Sequence, residues 1–414
     1  MIMDVYYDKL SEHCEVFSGY AFKSQDLLTE GDIPVVKIGN ISNGRDLILD
    51  KDTQYVDKIF LSINEKYHIK KGDVLISLTG SHINQPNSMV GRSCRYYKNQ
   101  ELLLNQRAGK ILAKTNNDLS FLYYMFSSWA MKVSITNRAY GAANQANVSP
   151  SDILSIKFNF PNYECQKKIG LILSRYDEAI ENNNKRIKLL ELMAQNLYKE
   201  WFVRFRFPGY ENCEFENGIP VGWKVEKLGN FCKITDGTHD TPAQVEEGIP
   251  LVTGKAIRNG RIDFSIPYNI SVEDHEKIKK RSGLKTGDIL FSNIGTIGNV
   301  CLVNYDREFS VKNMIIFKPE SINQSMYLFY LLNSGSIQSL FTAQTNGASQ
   351  QFLGLDFMRR FKILLPSEEI IKLFGEKEVL IIQQINIFQQ QNQNLAKQRD
   401  LLLPRLMSGK LEVR

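Results

Sequence analysis

Cysteine, histidine and proline are scarce in every arrangement that would give them a chemical role. The six cysteines, Cys14, Cys94, Cys165, Cys213, Cys232 and Cys301, form no C-x-x-C pair, and the five histidines do not cluster. Neither a disulfide framework nor a metal site is therefore expected. No run of 18 apolar residues occurs, and Met1-Ile2-Met3-Asp4 lacks the basic and apolar segments of a secretory leader, so a cytoplasmic protein is expected. No two prolines are adjacent, which removes the [ND]-P-P-[YF] motif of adenine methyltransferases. Gly254-Lys255 has the wrong upstream spacing for a phosphate-binding loop and is followed by Ala256. No Asp or Glu stands two places before a Lys, the spacing many metal-dependent nucleases carry. No catalytic residue is assigned.

What the chain has is itself, twice. Gly31-Asp32-Ile33-Pro34 returns as Gly248-Ile249-Pro250, Asn43-Gly44-Arg45 as Asn259-Gly260-Arg261, and Gly72-Asp73-Val74-Leu75-Ile76-Ser77 as Gly287-Asp288-Ile289-Leu290-Phe291-Ser292. The shift from Pro34 to Pro250 is 216, too long for a solenoid, so the repeated unit is a whole domain plus a helix. The 414 residues accommodate two such domains, and 51 basic against 45 acidic residues, with a pI near 8.8, mildly favour a polyanionic partner.

The shift changes along the chain, and the changes locate an insertion. It is 215 at Ser77 and Ser292 but 207 at Gly91 and Gly298, so the first copy carries eight extra residues within the polar stretch Thr79 to Ser88. Loops that grow on a constant scaffold are where specificity tends to reside. Around them, β-branched and aromatic segments punctuated by Gly, Asn and Asp read as short strands. Residues 116–133 and 325–341 read as helices packed on them, giving an α+β fold in each copy.

Pro161 and Pro366 are each expected to open a long helix. Ile169, Leu173, Tyr176, Ile180, Asn183, Ile187, Leu190, Ala194, Leu197 and Trp201 alternate steps of four and three, the seam of a coiled coil. Ile381, Ile385, Phe388, Asn392, Leu395, Arg399, Leu402 and Leu406 do the same, each seam with a register-setting Asn, so the two helices are expected to pack on one another. The boundaries read from sequence are a domain over 1–160, a helix over 161–205, linker and second domain over 206–365, and a helix with tail over 366–414.

Leu197-Tyr198-Lys199-Glu200-Trp201-Phe202-Val203-Arg204-Phe205, Gly218-Ile219-Pro220-Val221-Gly222-Trp223, Leu228-Gly229 and the ending Leu401 to Leu411 resemble the conserved regions of DNA-specificity (S) subunits of type I restriction-modification systems. Ser18 to Lys23 and Asp236 to Pro242 resemble the opening loops of that family's target-recognition domains. The resemblance spans essentially the whole chain. It implies two target-recognition domains, each reading one half of a split asymmetric site in double-stranded DNA, joined by two long antiparallel coiled-coil helices in a pseudo-twofold repeat. It further implies that two modification (methyltransferase) subunits, carrying S-adenosylmethionine, dock on the helices. Restriction (translocase/nuclease) subunits can be added, and this subunit is neither catalytic nor a holder of cofactor. Two departures stand out, Val5 against Trp223, and Asn105-Gln106-Arg107 set against Val311-Lys312-Asn313. On the residues alone, the targeting portion of a fused restriction-modification enzyme and a protein-binding adaptor remain rival readings.

Side chains able to read base edges, amides for adenine and Arg or Lys for guanine, gather at three matched places. They are Ser81, His82, Asn84, Gln85 and Asn87, opposite Ser292, Asn293 and Thr296; Asn105, Gln106 and Arg107, opposite Lys312 and Asn313; and Tyr140, Gly141, Asn144, Gln145 and Asn147, opposite Asn346, Gly347, Ser349, Gln350 and Gln351. Thr238 and His239, in the turn begun by Asp236-Gly237, are expected to touch DNA as well. The same turn could be read as a catalytic Asp/His pair or half a metal site, but no third ligand or nucleophile stands at a recognisable spacing.

Overall fold

The repeat is carried by the backbone bond for bond. Tyr20 N–H donates to Leu104 O and Thr238 N–H to Val311 O; Gln106 N–H donates to Tyr20 O and Asn313 N–H to Thr238 O. Asn105 N–H reaches Val36 O, and Lys312 N–H reaches Val252 O. Asn105 therefore corresponds to Lys312 and Gln106 to Asn313, one place away from the match expected from sequence, and Arg107 is the residue added in the first copy before Ala108 and its counterpart Met314. Ser77 N–H donates to Arg92 O and Ser292 N–H to Asn299 O, which brackets the eight-residue insertion between equivalent bonds. The close passage of the opening turn needs glycine in both copies: a Cβ would stand 2.3 Å from Leu104 O at Gly19 and 2.3 Å from Val311 O at Gly237.

The computed structural model describes residues 5–41, 47–50, 52–81, 88–141, 146–346 and 352–413. The chain divides into two units, residues 1–183 with 390–414, and residues 184–389, so the division passes through both long helices. In the first unit an antiparallel sheet runs in the order Cys14–Ser18, Ala108–Ala113, Val74–Ser77, Ser93–Arg95. In the second it runs Lys233–Asp236, Met314–Lys318, Ile289–Ser292, Val300–Leu302. A smaller sheet lies beside each in sequence order, built on the parallel pairs Ile33–Val36 with Leu102–Leu104 and Ile249–Val252 with Ser310–Val311. The stretch that holds the strand His68–Ile69 in the first copy is replaced in the second by the helix Val272–Ser282.

The helices expected over 116–133 and 325–341 are each broken in two, as Leu119–Ser127 with Trp129–Thr136 and Ile322–Asn333 with Gly335–Asn346. Serine makes the break: Ser128 is extended, its hydroxyl accepting from Met131 N–H at 3.3 Å and donating to Met125 O at 2.6 Å, and Ser334 donates likewise to Leu331 O at 2.7 Å. The long helices run Tyr163–Tyr198 and Glu368–Met407, later than expected, because Pro161 still belongs to the strand Lys157–Pro161 and Pro366 follows the strand Lys362–Leu365.

Within the first unit the two helices are antiparallel, since Asp177 meets Arg399 while Asn183 meets Asn392 and Gln391. In the second unit Arg186 lies over the Phe388 ring at 5.5 Å. Every seam residue named above is buried or half-buried. Each helix also seats on its own domain, Ile169 and Leu173 on Phe121 and Phe160, Phe374 on Tyr327 and Tyr330. Gly375 permits that approach, because a Cβ there would stand 2.4 Å from Asn323 Cα. Gly375→Ala should cost about 1–3 kcal/mol through overpacking, read as an earlier urea or thermal unfolding transition.

Candidate nucleic-acid interface

The three expected loops meet at one end of each sheet. In the first unit Leu78 N–H donates to Arg107 O at 3.0 Å, joining the first loop to the second, and Val148 N–H donates to Leu78 O at 2.9 Å, joining it to the third. The first and third loops are also laced by the short pairing of Thr79–Gly80 with Ala146–Asn147, and Thr79 Oγ1 donates to Asn147 Oδ1 at 3.0 Å. In the second unit Leu353 N–H donates to Asn293 O at 3.1 Å, and Ile294 bridges to Phe352, at the positions of Thr79 and Asn147.

Side chains within the loops divide into those facing out and those turned in. Gln106 and Arg107 are exposed, as are Tyr140 and Gly141. Tyr140 exchanges both backbone hydrogen bonds with Asn147, at 2.9 and 2.8 Å. Ser81 is half-buried and its carbonyl accepts from the Ser88 hydroxyl at 2.8 Å. Asn105 is buried, its Oδ1 accepting from Arg107 N–H at 3.2 Å, so it shapes the turn. In the second unit Thr296 is exposed, Lys312 and Asn313 are half-buried, and Lys312 Nζ donates to Thr241 Oγ1. Asn346 ends the helix Gly335–Asn346. His82, Asn84, Gln85, Asn87, Asn144, Gln145, Gly347, Ser349, Gln350 and Gln351 lie outside the described residues.

Two expectations need correcting. Thr238 is buried, and its hydroxyl accepts from Asp240 N–H at 3.1 Å, so the turn consumes it and His239 alone faces outward. Asn293 is also turned inward: its amide nitrogen donates to Leu353 O at 2.9 Å, and its buried Oδ1 has no partner. Ile294 and Phe352, which are not amides, are exposed on the second unit where the first carries Thr79 and Asn147. Exposed apolar side chains are of the kind that can meet the thymine methyl group in a major groove.

Electrostatics in the first unit point to an anion. Burial and the neighbouring Arg107 guanidinium pull the Lys37 ammonium below its usual range, and burial and Arg92 do the same to Lys132. A partly buried lysine with an arginine beside it is costly in the isolated protein and becomes favourable with a phosphate nearby. Among the described residues no group of three or more His, Cys, Asp or Glu is placed to hold a metal ion, and no helix is long and apolar enough to cross a membrane.

The sequence pattern of the family described as "Type I restriction modification DNA specificity domain" matches residues 4–192 and 220–399, nearly all of both halves. The chain belongs to that family. Its function follows: it is a sequence-specific DNA-binding specificity subunit of a type I restriction-modification complex. Among relatives of this specificity subunit, the type I restriction enzyme MjaIX specificity subunit of Methanocaldococcus jannaschii is 26% identical over 323 residues, covering 75% of this chain and 73% of that one. The putative MjaX specificity subunit of the same organism is 24% identical over 408 residues, covering 96% and 88%. The crystal structure of the S subunit from M. genitalium has the same fold, with a TM-score of 0.57 at 16% identity over 98% of this chain and 96% of that one.

Proposed function

We propose that residues 1–160 and 206–365 each read one half of a split, asymmetric site in double-stranded DNA through their three converging loops, and that 161–205 and 366–414 are spacers. One observation carries this reading. The loops stand on the same backbone hydrogen bonds in both copies yet present different side chains, Gln106 against Asn313, and an exposed Ile294 where the first copy buries Thr79. A constant frame with exchanged reading groups is what two different half-sites require. Lys37, Arg107, Arg92 and Lys132 supply phosphate contacts that set register.

The subunit itself performs no catalysis. Two modification subunits, carrying S-adenosylmethionine, dock on the long helices, and restriction subunits can join them in the cytoplasm. The helices offer apolar side chains to such partners: Leu171 and Leu401 in the first unit, and Leu189, Leu192, Met193, Leu380 and Ile387 in the second, are all exposed.

Exchanging residues 5–160 for the same domain of a relative tests the reading. Adenine-methylation mapping should show one half of the motif changed and the other kept. If both halves changed together, modular reading would be wrong. An assembled complex that retards no DNA would favour a protein-binding adaptor instead.

A further inference from the structure

We propose that Arg281, on the helix Val272–Ser282 and outside all three loops, is a positioning residue for base recognition by the second unit. It acts through Asp236 and His239 to hold the Asn313 amide by one end. This rests on the reading of the loops as base readers.

The chain of contacts is continuous. Arg281 Nη2 donates to Asp236 Oδ1 at 2.8 Å, and the other carboxylate oxygen accepts from His239 Nε2 at 2.8 Å. The remaining ring nitrogen, Nδ1, stands 3.0 Å from Asn313 Oδ1. Asp236 is largely covered, at 15% side-chain exposure, while Arg281 and His239 are about half exposed, at 53% and 57%. The carboxylate is thus the fixed centre that orients the ring. Asn313 is fixed in turn by its own backbone, left-handed at φ 52° with its N–H on Thr238 O at 3.0 Å.

An amide that reads adenine uses both ends, one accepting and one donating. Each end of an amide can make two hydrogen bonds, so the His239 Nδ1 contact leaves Asn313 an acceptor and a donor for a base and fixes which way the amide is turned. Held in this way, Asn313 presents one fixed order of donor and acceptor to a base edge. Released from His239, the amide can turn over and accept a base of the opposite order at that position.

The first unit has no equivalent. Ser18 and Ala21 stand where Asp236 and His239 do, and Gln106, the counterpart of Asn313, is exposed. The turn there is held by aromatic packing, with Phe22 centred 4.9 Å from Tyr20 and 5.4 Å from Phe60. Loss of the Arg281 link should therefore alter one half-site only.

The test is methylation mapping with the full-length chain assembled with its modification subunits, using Arg281→Met, His239→Ala, the double variant and Arg281→Lys. In Arg281→Met and His239→Ala, one base position of the second half-site should broaden, with a base of the opposite donor and acceptor order rising to within about tenfold of the cognate base. The first half-site should be unchanged. The double variant should be no broader than His239→Ala, because Arg281 acts through that ring, and Arg281→Lys should keep the parental motif by retaining a cation on Asp236. Three results would overturn the proposal: an unaltered motif in His239→Ala, additive broadening in the double variant, or uniform weakening at every base, the last marking Arg281 as a phosphate contact. Should Arg281→Met not fold, His239→Ala breaks the same link from its other end. A parental complex with no two-part motif would sink the base-reading interpretation as well, an outcome distinct from the others.

Discussion

Replacing Arg399 by Leu should destabilise the first unit by about 3–5 kcal/mol, among the largest losses available to a single substitution in this chain. Arg399 and Asp177 are both buried, and the guanidinium reaches the carboxylate directly. Tyr124, from the domain, donates its hydroxyl to the other carboxylate oxygen at 2.5 Å. Removing the cation leaves a desolvated carboxylate without the charge that balanced it. The double variant Asp177→Leu with Arg399→Leu should recover most of the loss, because an apolar pair of similar volume carries no desolvation penalty. Urea unfolding of parent, single and double variants decides it. A double variant as unstable as Arg399→Leu would mean that packing, not charge, holds this contact.

The second unit should respond to pH in the opposite sense from the usual carboxylate. Glu378 is fully buried beside Tyr330, and among the described residues no Lys, Arg or His comes within ion-pair distance. Burial pushes its carboxyl up to about 7, against a smaller downward pull from the Tyr330 hydroxyl. A carboxyl whose folded pKa exceeds its unfolded value holds its proton better in the folded state. Its contribution is therefore harmless below about 4.5 and grows unfavourable as pH rises to about 7, reaching about 3 kcal/mol. Glu378→Leu should match the parent near pH 4 and exceed it by about that amount at pH 8. Parallel stability-against-pH curves for the two proteins would refute the argument.

The contrast between these sites shows what the sequence could and could not reveal. A shift of 205 relates Arg399 to Ala194, and Asp177 to Ile382. The seam pattern counts Arg399 and Ala194 alike as inward positions but says nothing of charge balance. Asp177 lies one place past the seam residue Tyr176, and Tyr124 lies 53 residues before it, so no local signal joins the three. The loops were legible because the insertion and the amides leave a trace in the alignment of the copies. The burial of Thr238 is not legible locally, because burial of a threonine in a turn depends on where the next strand passes, here Val311 to Asn313. Ile294 and Phe352 carry no signal in the sequence, because exposed apolar residues look like core until a fold places them at an edge.

The first unit is assembled from both ends of the chain, and this imposes a waiting time. Leu403, Leu406 and Met407 belong to the same core as Phe160, Ile169 and Leu173. A ribosome must still make residues 184–389, the whole of the second unit, before it reaches them. At about 5–20 residues per second, those 206 residues take about 10–40 s. Throughout that interval the nascent amino-terminal domain holds an apolar strip of its helix uncovered, long after its local strands have had time to pair. The second unit has all its residues within one continuous stretch and can close first, so the half made earlier is the half completed last.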